Sequence, residues 1–308
     1  MREDQNRRRR PPVKPIFGVV INPQAANYSQ KEIDRLISRI AKARANWHVI
    51  ETTVTREASY QIKKLLQRRP VGIIACGGDS TVNLVARNLI RRTCALGILP
   101  MGNFNNIYRS LFGEPNLSEA RNEIFSGKHL KIDYGVAGAK FFLGSLGIGF
   151  APALLDIIKQ KRIPRFAFGW SRLASRAASE VESGKLNLTL DHLKMEITPR
   201  IFNVNLLPYS VGLPFTPMSL PDDGCAEVIF DPEAGQAIIS GYIRKIFKKK
   251  YIYTDEIMMY RGKKIIVEPV AGKNMYLDGE IWELKEPTLE IEIFQGKIRL
   301  FKSSGIQE

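Results

Sequence analysis

Cysteine and histidine are scarce in this chain. Cys76, Cys94 and Cys225 are spread over 308 residues and form no C-x-x-C pair. Their odd number and wide spacing exclude a disulfide framework, so a reducing, cytoplasmic compartment is the expectation. His48, His129 and His192 stand far apart and supply no zinc-ligand spacing. No stretch is apolar for the length that a membrane-spanning helix needs; the uncharged run Phe141–Leu155 is broken by Gly144, Gly147, Gly149 and Pro152. The N-terminus lacks the apolar core of a secretory signal. Acidic residues are outnumbered, 31 against 46 basic, which leaves a net charge of +15. Such a chain suits an anionic partner: a nucleotide, a nucleic acid or an acidic membrane. No nucleic-acid recognition motif is present, so a nucleic-acid partner is not expected.

What is present is enough apolar material for a large core, at 44% hydrophobic residues. Residues 1–14, with Arg7–Arg10 and Pro11-Pro12, are expected as a disordered basic arm. Beyond it, Ile16–Ile21, Trp47–Val54, Val71–Cys76 and Ala95–Leu99 read as buried strands. Helices are predicted between them, after Ser29, over Glu57–Gln67, over Asp79–Arg91 and from Asn103 to Leu111. Strands alternating with helices imply βαβ units and a parallel sheet. After Gly127 the period changes. Lys128–Ala137 and Lys140–Ser145 read as paired strands, and helices follow near Pro152–Lys161 and Phe166–Glu182. Short strand-like runs then succeed one another, among them Lys185–Leu190, Phe202–Leu207, Ala226–Phe230, Tyr251–Met258 and Asn274–Leu277. They suggest a β-sandwich, interrupted by an amphipathic helix over Glu233–Phe247. Thr288–Phe294 and Lys297–Phe301 read as closing strands.

Two strand-to-helix junctions carry the chemistry. In Cys76-Gly77-Gly78-Asp79-Ser80-Thr81-Val82-Asn83 the free N–H groups and the dipole of a helix start favour a phosphate, and glycine lets the backbone approach it. Asp79 reaches a metal ion or caps the helix, and Thr81 offers a hydroxyl. Leu99-Pro100-Met101-Gly102-Asn103-Phe104-Asn105-Asn106 is a second junction of the same kind. Ligands of such sheets bind beyond the carboxyl ends of the strands, so the two loops can converge on one nucleotide. Read alone, Asp278-Gly279 is a hairpin turn, and Asp222-Asp223-Gly224 is a surface turn.

Taken together, these segments resemble the diacylglycerol kinase catalytic domain family, whose members carry GGDGT with a following N, then P-x-GT-x-ND, G-x-G-F-D-A, DDG and D-G-E. The counterparts are Gly77–Thr81 with Asn83, Pro100–Asn106, Gly147–Ala151, Asp222-Asp223-Gly224 and Asp278-Gly279-Glu280. Asn22-Pro23 matches the opening of the family's first nucleotide loop. The resemblance covers almost the whole chain after the basic arm. It implies an α/β nucleotide domain over 15–135 and 287–304 and a β-sandwich substrate domain over 136–286. It also implies transfer of the γ-phosphate of ATP, with Mg²⁺, to a lipid hydroxyl at an anionic membrane surface, by a cytoplasmic, peripherally bound protein that is a possible homodimer. Under it Asp278 accepts the hydroxyl proton beside Glu280. Asn22, Gly77, Gly78, Asp79, Ser80, Thr81, Gly102, Asn103, Asn105 and Asn106 hold the nucleotide, and Asp79, Asp222 and Asp223 serve the metal.

The chain departs from the pattern at several points. Ser80 stands where the family has Gly, and a Cβ there costs about 1–2 kcal/mol if φ must be positive. Asn103 replaces Thr, Asn106 replaces Asp, Ala25-Ala26 replaces Ser-Gly and Ala151 replaces Asp. These changes fall near the expected nucleotide site, which leaves two further readings: a nucleotide- or lipid-binding protein of the same fold, and a kinase of a soluble substrate, as in the NAD kinases. Basic clusters at Lys159–Arg165 and Arg244–Lys250 are candidates for contact with an anionic leaflet.

Overall fold

A computed structural model describes residues 14–52, 55–160, 167–231, 236–247 and 257–302. Residues 1–13 of the basic arm, residues 251–256 of the expected strand Tyr251–Met258 and parts of both basic clusters lie outside them.

The first half alternates as expected. Strand β1 (Ile16–Ile21), helix α1 (Gln30–Lys42), β2 (Asn46–Glu51), α2 (Thr55–Leu66), β3 (Gly72–Gly77), α3 (Asp79–Ala86), β4 (Ala95–Pro100), α4 (Asn106–Phe112) and α5 (Leu117–Ile124) follow one another. The strands are parallel in the order β2-β1-β3-β4, with Val19 opposite Ile74 and Ile73 opposite Leu96. Residues of β1, β3 and β4 are almost all buried, because helices cover the faces of a parallel sheet. Helix α1 turns Ile33, Leu36 and Ile40 inward at helical spacing.

The second half runs β5 (His129–Ala137), β6 (Lys140–Phe142), β7 (Ser145–Gly149), α6 (Phe150–Gln160), α7 (Ala167–Ser179), β8 (Leu186–Leu190), β9 (Leu193–Ile197) and β10 (Ile201–Asn205). A small hairpin, β11 (Tyr209–Ser210) and β12 (Leu213–Pro214), precedes β13 (Ala226–Phe230), α8 (Gln236–Phe247), β14 (Met258–Gly262), β15 (Lys264–Glu268), β16 (Asn274–Leu277), β17 (Glu280–Glu283) and β18 (Leu289–Phe301). The long strand β18 is the junction. It lies parallel to β4 through Leu300 and Leu96, and antiparallel to both β5 and β15. The parallel sheet therefore continues through β18 into β15, β8 and β9, making ten strands with β5 and β6.

An antiparallel sheet of six strands, β14-β13-β10-β7-β16-β17, faces that extension. Alternation along its strands sorts two cores. Phe202, Val228 and Met275 point to Leu188, Ile265 and Ile291 of the first sheet. Ile201, Ile229 and Tyr276 point the other way, to Leu154, Ala174 and Ile243 of α6, α7 and α8. The expected sandwich is thus built from the six-stranded sheet and strands hydrogen-bonded into the nucleotide-side sheet. The two closing runs are one strand, with a register shift between Phe294 and Ile298.

Candidate active site

Three strand ends meet at one point. Asn22 follows β1, Gly77-Gly78 follows β3, and Gly102 follows β4. Asn22 Nδ2 donates to Thr81 Oγ1 at 3.4 Å, and its own N–H bonds the Cys76 carbonyl. A Cβ built on Gly102 would stand 2.3 Å from Gly78 Cα, so the two loops touch backbone to backbone, and only glycine permits it. Asn105 locks the second loop. It sits in the left-handed region, and its amide closes on Gly102 from both sides, with Gly102 N donating to Oδ1 at 2.8 Å and Nδ2 donating to Gly102 O at 2.9 Å. Asn27, which the sequence analysis did not single out, donates to the same carbonyl at 2.6 Å. Asn103 is exposed on the outer side of this loop. The result is a bare backbone cradle at the start of α3, a site whose chemistry fits a phosphate.

Asp79 is 7% exposed and lies behind the cradle. Its Oδ2 accepts from Asn106 N and Nδ2 at 3.0 and 3.1 Å, and its Oδ1 accepts from Ile107 N at 2.9 Å. It is the N-terminal cap of α4, supplied from 27 residues away. That is why α4 starts at Asn106 and not at the expected Asn103: the local sequence holds no signal of a cap from another element. Burial pushes the Asp79 carboxyl up to about 6, the N–H donors oppose this, and the Asp278 charge adds to it. Asn106 links the halves of the molecule. Its Nδ2 also reaches Tyr276 Oη at 3.3 Å, and its Oδ1 accepts from Gly212 N, beside β12, at 2.8 Å. An Asp here, as in the family pattern, would set a second carboxylate against Asp79.

Asp278 is equally buried, at 2% exposure, in the turn between β16 and β17. Its backbone has φ 44°, which favours short polar residues. Oδ1 accepts from Gly144 N and Ser145 N at 2.9 and 3.0 Å. Oδ2 accepts from Leu143 N at 2.6 Å and from Asn83 Nδ2 at 2.9 Å. The carboxylate thus fills its four acceptor positions and holds the Leu143–Ser145 turn. Burial raises its affinity for a proton against these four donors. Gly279 brings the turn over α3, where a Cβ would lie 3.7 Å from Asp79 Cβ and 3.8 Å from Ser80 N. The structure brings Asn22, Gly77, Gly78, Asp79, Ser80, Thr81, Gly102, Asn105, Asn106 and Asp278 to one region.

Ser80 lies in the first turn of α3 with an ordinary helical backbone, so the condition for the expected strain is not met. Any effect of its side chain is crowding alone. Glu280 is exposed as a residue; partial desolvation of its carboxyl raises its proton affinity, and Arg87 opposes this.

Asp222 and Asp223 lie elsewhere. The Asp222 carbonyl accepts from Gln295 Nε2, Asp223 pairs with Arg261, and Gly224 N bonds Asp133 Oδ2 at 2.6 Å. Asp133, which no motif singles out, also accepts from Gly296 N at 2.5 Å and so pins this loop to β18. Among the described residues no three His, Cys, Asp or Glu side chains converge on a metal position. Among the described residues Asp79 and the Asp222-Asp223 pair do not form one ligand set.

Comparison with known proteins agrees with this geometry. Residues 17–137 match the diacylglycerol kinase catalytic domain. A diacylglycerol kinase of Bacillus subtilis is 22% identical over 281 residues, covering 85% of this chain and 88% of the relative. One from Staphylococcus carnosus is 19% identical over 273 residues, with 85% and 87% covered. The crystal structure of a diacylglycerol kinase from Bacillus anthracis superimposes with a TM-score of 0.73 at 21% identity, over 94% of this chain and 97% of that one. An NAD kinase from Archaeoglobus fulgidus in complex with ATP gives a TM-score of 0.51 at 12% identity, over 94% of each chain. The chain thus shares the fold of the diacylglycerol kinase structures across both halves, and its residues 17–137 match the diacylglycerol kinase catalytic domain.

Proposed function

We propose that the protein is a lipid kinase that passes the γ-phosphate of ATP, used as its Mg²⁺ complex, to a lipid hydroxyl such as that of diacylglycerol. The observation that carries this reading is the contact of Gly78 with Gly102 directly above the buried pair Asp79 and Asp278. The contact leaves peptide N–H groups bare at a helix start, where phosphates bind, and sets a carboxylate-bearing turn beside them. Phosphoryl transfer asks for positioning and charge neutralisation more than for covalent chemistry. Asp278 orients the acceptor, and for it to take the hydroxyl proton one of its four donors must yield. Asn83 is the only side chain among the four, so it is the one that moves. The acceptor arrives from an anionic membrane surface, in keeping with the charge of +15; among the described residues no helix is long and apolar enough to cross a membrane.

A second reading is a binding protein of the same fold without turnover. The filled donor shell of Asp278 and the amide at Asn106 favour it. One assay separates the two: [γ-³²P]ATP and Mg²⁺ with diacylglycerol in mixed vesicles, beside calorimetric ATP titration. Labelled lipid establishes the kinase. ATP binding without labelled product, over a panel of lipid acceptors, leaves the binding protein. Labelled NADP from NAD would overturn both.

A further inference from the structure

The two strands that carry Asp278 and its turn end, on the other side of the molecule, at a cavity. Strand β7 runs from Ser145, whose N–H holds Asp278, to Gly149, and β16 runs from Asn274 to Leu277, just before Asp278. Gly149 and Asn274 line a cavity of about 560 Å³. Four residues of strand separate it from the carboxylate, about 13 Å at about 3.3 Å per residue. The floor is apolar: Ile148, Val181, Leu186 and Phe202 line it and are buried. One wall is α6, through Pro152 and Asp156 a turn apart. The rest of the lining is charged. Asp156, Glu180 and Glu182, the last two just after α7, bring carboxylates, and Lys273, in the turn before β16, brings an ammonium. Glu180 pairs with Arg176 at 3.0 Å, and beside the cavity Lys185 pairs with Glu196 at 2.8 Å. Arg200, behind Val181, is taken up by the carbonyls of Ala178 and Val181 at 2.8 and 2.7 Å. Among the described residues Asp156, Glu182 and Lys273 are in no ion pair, although all three line one space.

An apolar cavity of this size with a few polar groups is the usual form of a small-molecule site. The open end of a sandwich accounts for the apolar floor. It does not account for a half-buried Lys273 that pairs with neither Asp156 nor Glu182 across the same space. A ligand that bears both charges meets both: its ammonium pairs with Asp156 and Glu182, its anion with Lys273, and its apolar body covers Ile148 and Phe202. A nucleotide does not suit the cavity, because it brings only negative charge to the carboxylates. We propose that this cavity binds a zwitterion with an apolar body, at a place separate from the nucleotide loops. A free amino acid and the headgroup of an ethanolamine phospholipid share that chemistry. The cavity binds whether or not phosphate is transferred, so it stands apart from the kinase reading.

Gly184 supplies the test. It lines the cavity, and a Cβ built on it would lie 3.9 Å from Lys273 Nζ and, its chain neighbours apart, meet nothing else within 4 Å. Gly184→Leu therefore sends a side chain toward Lys273 without a backbone clash. The full-length protein, without nucleotide, is titrated calorimetrically with L-phenylalanine and with dihexanoylphosphatidylethanolamine below its micelle concentration. Saturable binding of one of them is expected, lost in Gly184→Leu. It should weaken at least tenfold in Asp156→Asn/Glu182→Gln and in Lys273→Gln, with melting temperatures unchanged. Binding of phenylalanine assigns a free amino acid, and binding of the phospholipid alone assigns a headgroup. The proposal is overturned if neither zwitterion binds, if binding survives in Gly184→Leu, or if the charge variants bind like the native protein; those variants decide the matter should Gly184→Leu fail to fold.

Discussion

Asp79 and Asp278 are two carboxylates enclosed together, and protonation is where their environment can be measured. The Asp79 carboxyl titrates at about 6 in the folded protein, against about 3.9 in an unfolded chain. The folded state thus holds the proton more tightly. The stability tied to Asp79 is present in full below about pH 4 and is lost as pH rises through about 6, by about 3 kcal/mol at most. Thermal melts from pH 4.5 to 7.5 should show Asp79→Asn lacking that part of the slope; parallel curves for variant and native protein would contradict it. Asp278→Asn tests the filled donor shell. Replacing one carboxylate oxygen by an NH₂ group sets donor against donor, at about 1–3 kcal/mol for each group left unsatisfied. The variant should melt several degrees lower and, in a turnover assay, lose about 10²–10⁴-fold in rate while ATP affinity stays unchanged. A lower rate at an unaltered melting temperature would mean that the turn does not depend on the carboxylate.

The β3–α3 and β4–α4 junctions work only as a pair. Gly102→Ala places a methyl 2.3 Å from Gly78 Cα, whereas Gly78→Ala places one 3.1 Å from Gly102 Cα. The first substitution must part the loops and the second needs only a small shift. Calorimetric ATP titration should therefore show at least a tenfold loss for Gly102→Ala and a smaller one for Gly78→Ala; the reverse order would refute the contact. Both junctions were legible in the sequence, because glycine after an apolar strand and before a helix has few other uses. The start of α4 was not, since its cap comes from Asp79 on another element. Helix α5 was missed although Asn116 caps it through Ser118 N and Glu119 N, because Gly113 and Pro115 mask the boundary. The hairpin β11–β12 is two residues on each side, too short for any period to show. The placing of Asp222 and Asp223 beside Asp133 rests on contacts 91 residues apart in the chain, which spacing does not reveal.

Across the molecule, the net charge of +15 suits an anionic partner. Co-sedimentation should show binding to phosphatidylglycerol vesicles and not to phosphatidylcholine, falling steeply between 50 and 500 mM salt (~), because exposed charges are screened within about 10 Å at 0.1 M. Binding that is indifferent to salt would point to apolar insertion instead. The position of β18 has a consequence for the order in which the protein is made. It is the last strand in chain order among the described residues, yet it fills the gap between β4 and β15 and covers β5. While the ribosome is still synthesising residues 289–301, the nascent chain holds three unpaired strand edges, each a template for another chain. The protein should thus depend on chaperone cover late in translation, and slowing elongation just before Leu289 should lower its soluble yield more than the same delay placed before β5.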